Sequence, residues 1–294
     1  MIKDQFPVIN IGQLDEFKQE DILISRFAPY LAVHKNLQQA HKHDFYHLVF
    51  FTDGAGSQTI DFERFEVKPF QFYFMIPGQV HHWAFEGHVD GYVVNFSASF
   101  FQSFLLKADY FEQFSFFSGN ANEAVIEVPV AMQADMINLF EKLLRESEDK
   151  QRGALDMVRL LLVELFISIG RLSAPNEQKQ VSPYNLTLLK SFRNLIETNF
   201  RSLKLPKEYA ELLYITPNHL NALCNDLLDI SAGEVIRNRV VLEAKRLLVN
   251  PELGITEIAG QLNFSDNSYF TKFFKKQTGS TPEEFRKQFI TKRS

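Results

Sequence analysis

The chain has 294 residues, 45% of them apolar, with one cysteine and a formal net charge of −5. That length accommodates two domains, and the apolar content excludes global disorder. The lone Cys224 excludes an internal disulfide and any multi-cysteine zinc site.

The charge is unevenly spread. From residue 181 onward there are 16 Lys+Arg against 12 Asp+Glu, leaving 15 against 24 in the remainder. A polyanion would therefore meet the C-terminal half. The N-terminus, "MIKDQFPVINIGQLDEF", lacks the apolar stretch of a secretory signal. The longest apolar run, "LLLVELFISIG", is too short to span a bilayer and carries Glu164. These features predict a cytoplasmic protein with no membrane partner.

Residues 1–40 carry few period signals. From His43 to about Asn95 the pattern changes to aromatic and β-branched runs, "HLVFFTDG", "GSQTIDFERFEVKPF", "FQFYFMIPGQVHHW" and "HVDGYVVNFS". Asp-Gly, Lys-Pro and Pro-Gly turn signals break these runs. Short strands at this spacing predict a small sandwich or barrel. Strand alternation places His41, His43 and His47 on one face with Phe45, Val49 and Phe51. His81 or His82 follows a Pro-Gly turn on a later strand.

After Pro129 the period becomes helical. Met132, Met136, Leu139, Phe140 and Leu143 share one face. A second helix, about Ala154 to Leu172, is apolar on most sides and must be covered twice. One cover is the barrel; the other is either a partner subunit or more of this chain. "SAPNEQKQVSPY", residues 173–184, is polar with two prolines and reads as a linker.

The remainder predicts helices with short turns. In "ITEIAGQLNFSDNSYFTKFFKKQTGSTPEEF", Thr256 is a plausible N-cap for a first short helix, and Asn263 suits the left-handed position of a tight turn. Ser265 or Asp266 then caps a second helix. Asn267, Ser268, Thr271, Lys272 and Lys275 face out on it, opposite the aromatics. Gly279 sits at its end, and Pro282 opens the next helix. Two helices joined by a turn of a few residues, the second polar and basic outside, make a helix-turn-helix. Asn and Ser near its N-terminus can bond base edges, and Lys272, Lys275 and Lys276 suit guanine or phosphate.

The same pattern occurs upstream in "LPKEYAELLYITPNHLNALCNDLLDISAGEVI". There Thr216-Pro217 starts a helix with Asn218, His219, Asn221 and Asn225 outside. Leu220 and Phe270 occupy equivalent places, 50 residues apart. A long helix with Arg237, Arg239, Lys245 and Arg246 joins the motifs. Its ~18 residues span roughly 27 Å, near the ~34 Å between successive major-groove faces. Two recognition helices so held could read one side of a duplex.

The duplicated motif, "EAKRLL" in the joining helix, and "ITEIAGQLNFSDNSYFTKFFKKQTGSTPEEFR" resemble, in order and spacing, the DNA-binding domain of the AraC/XylS family of transcription regulators. The resemblance covers the last ~110 residues. It implies base-reading positions at Asn218, Asn221 and Ala222 in the first motif and at Asn267, Ser268, Thr271 and Lys272 in the second. The first motif departs from the family pattern. Ala222 stands for a long polar residue, Cys224 for an aromatic, Asn225 for a lysine and Asp229 for a glycine.

The N-terminal histidines resemble the order of a cupin barrel, with His47 near the place of the glutamate that cupin metalloenzymes use. "H-x-H-D-F-Y" and "IPGQVH" are more similar to the non-enzymatic sensor halves of AraC-type regulators. His41, His43, Phe45, His47 and His81 are therefore assigned to an effector, a small polar or sugar-like molecule stacked on rings. No metal and no cofactor are assigned, because the sensor halves this chain resembles bind their effector without metal and, in part, because the carboxylate ligand is missing.

The predicted fold class is α+β. A cupin-like barrel with an N-terminal arm occupies 1–125, a helical dimerisation region 126–172, a linker 173–183 and an all-α double helix-turn-helix domain 184–294. The predicted function is effector-controlled regulation of transcription, as an activator, without enzymatic activity. Its partners are promoter DNA, RNA polymerase and a second copy of the chain. The alternatives are a metal-dependent cupin enzyme with a helical appendage, and a protein whose helical half binds another protein.

Overall fold

The computed structural model describes residues 7–14, 21–34, 39–101, 104–105, 110–149, 151–172, 182–250 and 252–291. The chain divides into two compact units, Met1–Asn176 and Glu177–Ser294. Most of the expected linker lies outside the described residues.

The first unit is built on two long strands, β4 (Tyr46–Ile60) and β7 (His81–Phe96). They run antiparallel from the Tyr46–Phe96 pair to the Ile60–His81 pair, with register shifts around Asp53. Two shorter strands are β1 (Val8–Ile9) and β3 (Lys42–His43), which pair in parallel. The remaining strands are β2 (Ile22–Arg26), β5 (Glu63–Val67), β6 (Gln71–Met75) and β8 (Val125–Glu127). The main sheet runs β2-β7-β4-β6-β8, and β5 pairs with the second half of β4. The long strands thus serve two half-sheets that face each other across an aromatic interior.

Glycine permits this wrapping. A Cβ on Gly91, at φ +156°, would lie 2.0 Å from the Phe50 carbonyl oxygen, and one on Gly56 would lie 2.3 Å from that of Ala84. Only a residue without Cβ lets the two backbones approach so closely.

Successive residues of β4 serve opposite cores, as a period of two requires. Val49 and Phe51 join Phe45, Tyr73 and Trp83 inside the wrapped sheet. Leu48 and Phe50 join the helices outside. Those helices are α2 (Val130–Glu148) and α3 (Ala154–Leu172). The predicted stripe holds: Met136, Leu139, Phe140 and Leu143 are buried, and Met132 packs against them. The all-round apolar α3 finds most of its cover within this chain. Phe166 packs against Phe96, Phe101, Phe111, Phe114, Phe116 and Phe117. Met157 and Leu160 remain exposed.

β2 was not foreseen in residues 1–40, nor was α1 (Phe27–Val33). Ile22 and Ile24 enter the helix-side core and Leu23 the interior core. A strand buried on both faces has no polar alternation to reveal it.

The second unit holds α4 (Pro183–Asn199), α5 (Pro206–Leu212), α6 (Pro217–Leu228), α7 (Ala232–Leu248), α8 (Ile255–Gln261), α9 (Asn267–Thr278) and α10 (Pro282–Thr291). Phe192, Tyr209, Leu220, Ile236, Ala244, Ile258, Phe270 and Phe274 are fully buried within it. Cys224 is also fully buried, and that burial pushes its thiol up to about 11.

Candidate nucleic-acid interface and sensor site

The two helix pairs, α5–α6 and α8–α9, have matching hydrogen bonds. The Ile215 N–H donates to the Ala210 carbonyl at 3.0 Å, and the Phe264 N–H donates to that of Ala259 at 2.9 Å. Tyr214 and Asn263 both adopt φ 55° in the intervening turns. The left-handed assignment of Asn263 is therefore correct, and its counterpart is a tyrosine. Thr216 caps α6 by accepting from the His219 N–H, and Asp266 caps α9 by accepting from the Tyr269 N–H. Each second helix ends in a left-handed residue, Asp229 at φ 55° and Gly279 at φ 81°. The turns repeat at 49 residues and the caps at 50, because the second motif has one more residue before its cap. The expected cap of α8, Thr256, lies instead inside its first turn, and Gly254 takes the cap position.

Asn218, Asn221 and Ala222 are exposed on α6; Asn267, Ser268, Lys272, Lys275 and Lys276 are exposed on α9, and Thr271 is half-buried. The two faces differ in charge. α6, "PNHLNALCNDLL", contains no lysine or arginine, whereas α9, "NSYFTKFFKKQT", contains three lysines. Asn221 has a structural task as well: its Oδ1 accepts from the Ala232 N–H at the start of α7, at 3.1 Å.

Part of the basic charge of α7 is used internally. Glu243 draws Arg201 to 2.9 Å and Arg239 to 3.2 Å, with Arg246 at 3.9 Å. Arg239 also holds Glu197 at 2.8 Å. Burial alone would raise the Glu243 carboxyl, but the guanidiniums around it outweigh that and hold it below the usual range.

In the first unit the five residues expected at the sensor site are all buried: His41, His43, Phe45, His47 and His81. His41 and His81 form an antiparallel bridge, each N–H donating to the other's carbonyl, at 3.1 and 2.9 Å. The His43 ring stacks on Phe45 with centroids 4.3 Å apart, and the His47 ring lies 5.6 Å from His81, nearly parallel. One ring nitrogen from each of His41, His43 and His81 falls within 4.8 Å of the other two.

The tautomers follow from the neighbours. His41 Nδ1 lies 2.6 Å from the Gln39 carbonyl oxygen, and His81 Nδ1 lies 3.2 Å from that of Gln79. A carbonyl only accepts, so both Nδ1 atoms carry hydrogen and each neutral ring leaves a lone pair on Nε2. His41 Nε2 is 3.0 Å from His43 Nε2, which must then donate to it. Among the described residues, His43 Nδ1 and His81 Nε2 are buried without a hydrogen-bond partner. Burial lowers the basicity of all four histidines, His47 down to about 3, and the neighbouring imidazoles add to this at His43 and His81. The rings are therefore neutral near pH 7.

Sequence reasoning did not single out the residues that support this cluster. Asn95 Oδ1 accepts from His47 Nδ1 at 2.5 Å, while its Nδ2 donates to the Tyr30 hydroxyl. Gln58 is fully buried, its Nε2 against the Met75 sulfur and its Oε1 without a partner among the described residues. An inward glutamine or asparagine among apolar strand residues is the signal that marks such positions.

A wrapped antiparallel sheet with a buried polar cluster, in a chain that also carries two helix-turn-helix pairs, defines a sensor-and-reader class of protein. Residues 33–165 match the model of the AraC-like ligand binding domain, and residues 209–288 match that of a helix-turn-helix domain. The two matches together take in well over half of the chain, which belongs to the AraC/XylS family.

Among its relatives, the HTH-type transcriptional regulator YijO of Escherichia coli is 30% identical over 112 residues, covering 38% of this chain and 40% of that protein. The probable transcription factor PqrA of Proteus vulgaris is 37% identical over 68 residues, 23% of this chain and 56% of that one. The HTH-type transcriptional activator RhaR of Yersinia pestis is 24% identical over 154 residues, 52% of each chain. The chain spans about half the length of the curated relatives it matches. Among solved structures, fatty-acid-bound ToxT of Vibrio cholerae is similar over 91% of this chain and 95% of its own, at 11% identity and TM-score 0.42. The C-terminal domain of the response regulator yesN of Fusobacterium nucleatum is similar over 35% of this chain and 98% of its own, at 29% identity and TM-score 0.32. Among the described residues, no helix is long and apolar enough to cross a membrane.

Proposed function

We propose that the protein is a sequence-specific, DNA-binding regulator of transcription, controlled by a small polar molecule bound in its N-terminal unit. The observation that carries this reading is the repeated helix-turn-helix, two capped second helices with polar faces exposed and three lysines on one of them. In this reading Asn267, Ser268, Thr271 and Lys272 read bases, Lys275 and Lys276 hold phosphates, and Asn218, Asn221 and Ala222 face a second stretch of groove. His41, His43, Phe45, His47 and His81 face the effector. The protein is cytoplasmic, not an enzyme, and acts as an activator through RNA polymerase. It works as a homodimer, for which the exposed Met157 and Leu160 of α3 offer an apolar contact. The domain boundaries follow those read from the sequence, with 126–172 serving dimerisation and 173–183 linking the units.

Selection of sites from random duplex DNA by the full chain tests the reading. A bipartite site is expected, with one half lost in Lys272→Ala and the other in Asn218→Ala. Failure to enrich any sequence at low salt would sink it.

A further inference from the structure

We propose that His41, His43 and His81 form a binding site for one divalent first-row transition ion, zinc foremost. As a statement about the sensor site it rests on the reading above; the uptake of metal does not.

The three rings form a nearly equilateral triangle. Their centroids are 4.4 Å (His41–His81), 4.7 Å (His41–His43) and 4.7 Å (His43–His81) apart, and their planes are inclined at 60°, 58° and 68°. That is the propeller of three imidazoles around a common point. In a tetrahedral site with bonds of about 2.0–2.1 Å, donor nitrogens stand about 3.3 Å apart. The His41–His43 pair is already at 3.0 Å, and all three nitrogens lie within 4.8 Å of one another.

The tautomers point the same way. Backbone carbonyls of Gln39 and Gln79 hold the Nδ1 hydrogens of His41 and His81. This is the outer arrangement that orients a ligating imidazole and leaves Nε2 for the metal. His81 Nε2 is buried with no hydrogen-bond partner among the described residues. An ion at the centre takes the His41 and His81 lone pairs, and it takes that of His43 once the His43 proton moves from Nε2 to Nδ1.

The missing carboxylate is no obstacle. Three histidines with a fourth position open are a sufficient set for zinc, and imidazole also suits nickel, copper and iron. His47 lies outside the group of three. The fourth position is left for a donor atom of the effector, which would be an oxygen-bearing small molecule.

The test uses the untagged full chain, stripped with a chelator and titrated with cobalt(II), then with zinc(II) in competition. Wild type is expected to bind one ion per chain, with the intense visible bands of a four-coordinate cobalt site, and zinc should displace it. His43→Gln and His81→Gln should remain folded by circular dichroism and bind at least tenfold more weakly. His88→Gln, on the exposed surface, should bind as wild type. Zinc should raise the melting temperature of wild type and His88→Gln only. No saturable uptake by wild type overturns the proposal, as does uptake unchanged in both folded cluster variants. If neither cluster variant folds, the wild-type spectrum alone decides. DNA selection by the same preparations separates the two readings. Site-specific DNA binding without metal uptake leaves the regulator standing, and uptake without DNA binding leaves only the metal site.

Discussion

Lys275 and Asn218 are both exposed, on α9 and α6, yet their removal should read out differently. Lys275→Ala, at a position assigned to phosphate, is expected to weaken DNA binding and to lower the slope of log affinity against log salt by about 1. Asn218→Ala should leave that slope unchanged and relax preference at one base, by about 1–3 kcal/mol. A salt series on the two variants checks both. Asp229 makes a separate prediction. It holds a left-handed turn that its counterpart Gly279 holds without strain. Asp229→Gly should therefore stabilise the C-terminal unit by about 1 kcal/mol in a denaturant titration. Glu243 carries the pH dependence. Its carboxyl is lowered in the folded state, so its contribution is complete above the unfolded value near 4.5 and is lost as pH falls through the folded one. Glu243→Gln should cost about 2 kcal/mol at neutral pH and should flatten the acid limb of stability below about pH 4.5.

At the level of elements, the C-terminal helices were legible because caps and turns are local chemistry. Thr216-Pro217, Asp266, Gly279 and Pro282 act where the sequence places them. Thr256 misled because Gly254 is also acceptable at an N-cap. Ion pairing was not legible. Arg239 and Arg246 look like phosphate contacts until their shared carboxylate, three or four residues away along α7, is seen beside them. In the first unit, alternation over residues 41–51 revealed the histidine face although only His47 lies in β4, and no local signal predicts that His81 closes on His41 across 40 residues. The bends of β4 and β7 likewise depend on a contact between distant backbones. Gly91→Ala should cost at least about 2 kcal/mol, because the added methyl meets the Phe50 carbonyl. A thermal melt checks this, and a loss well below that would mean the strands can separate at the bend.

At the scale of the whole molecule, thirty phenylalanines serve chiefly one unit. They build two cores on either side of a sheet, one inside the wrap and one under α2 and α3. The wall between them is one strand thick. Val49 and Phe51 look into the interior core, and Leu48 and Phe50, their immediate neighbours, look at the helices. The stretch from His47 to Phe51 is thus a single string carrying two interleaved scripts, odd letters addressed to the interior of the wrapped sheet and even letters to the helical layer. A substitution at one odd letter leaves the letters of the helical layer in place. An insertion or deletion of a single residue would exchange the scripts and scramble both at once.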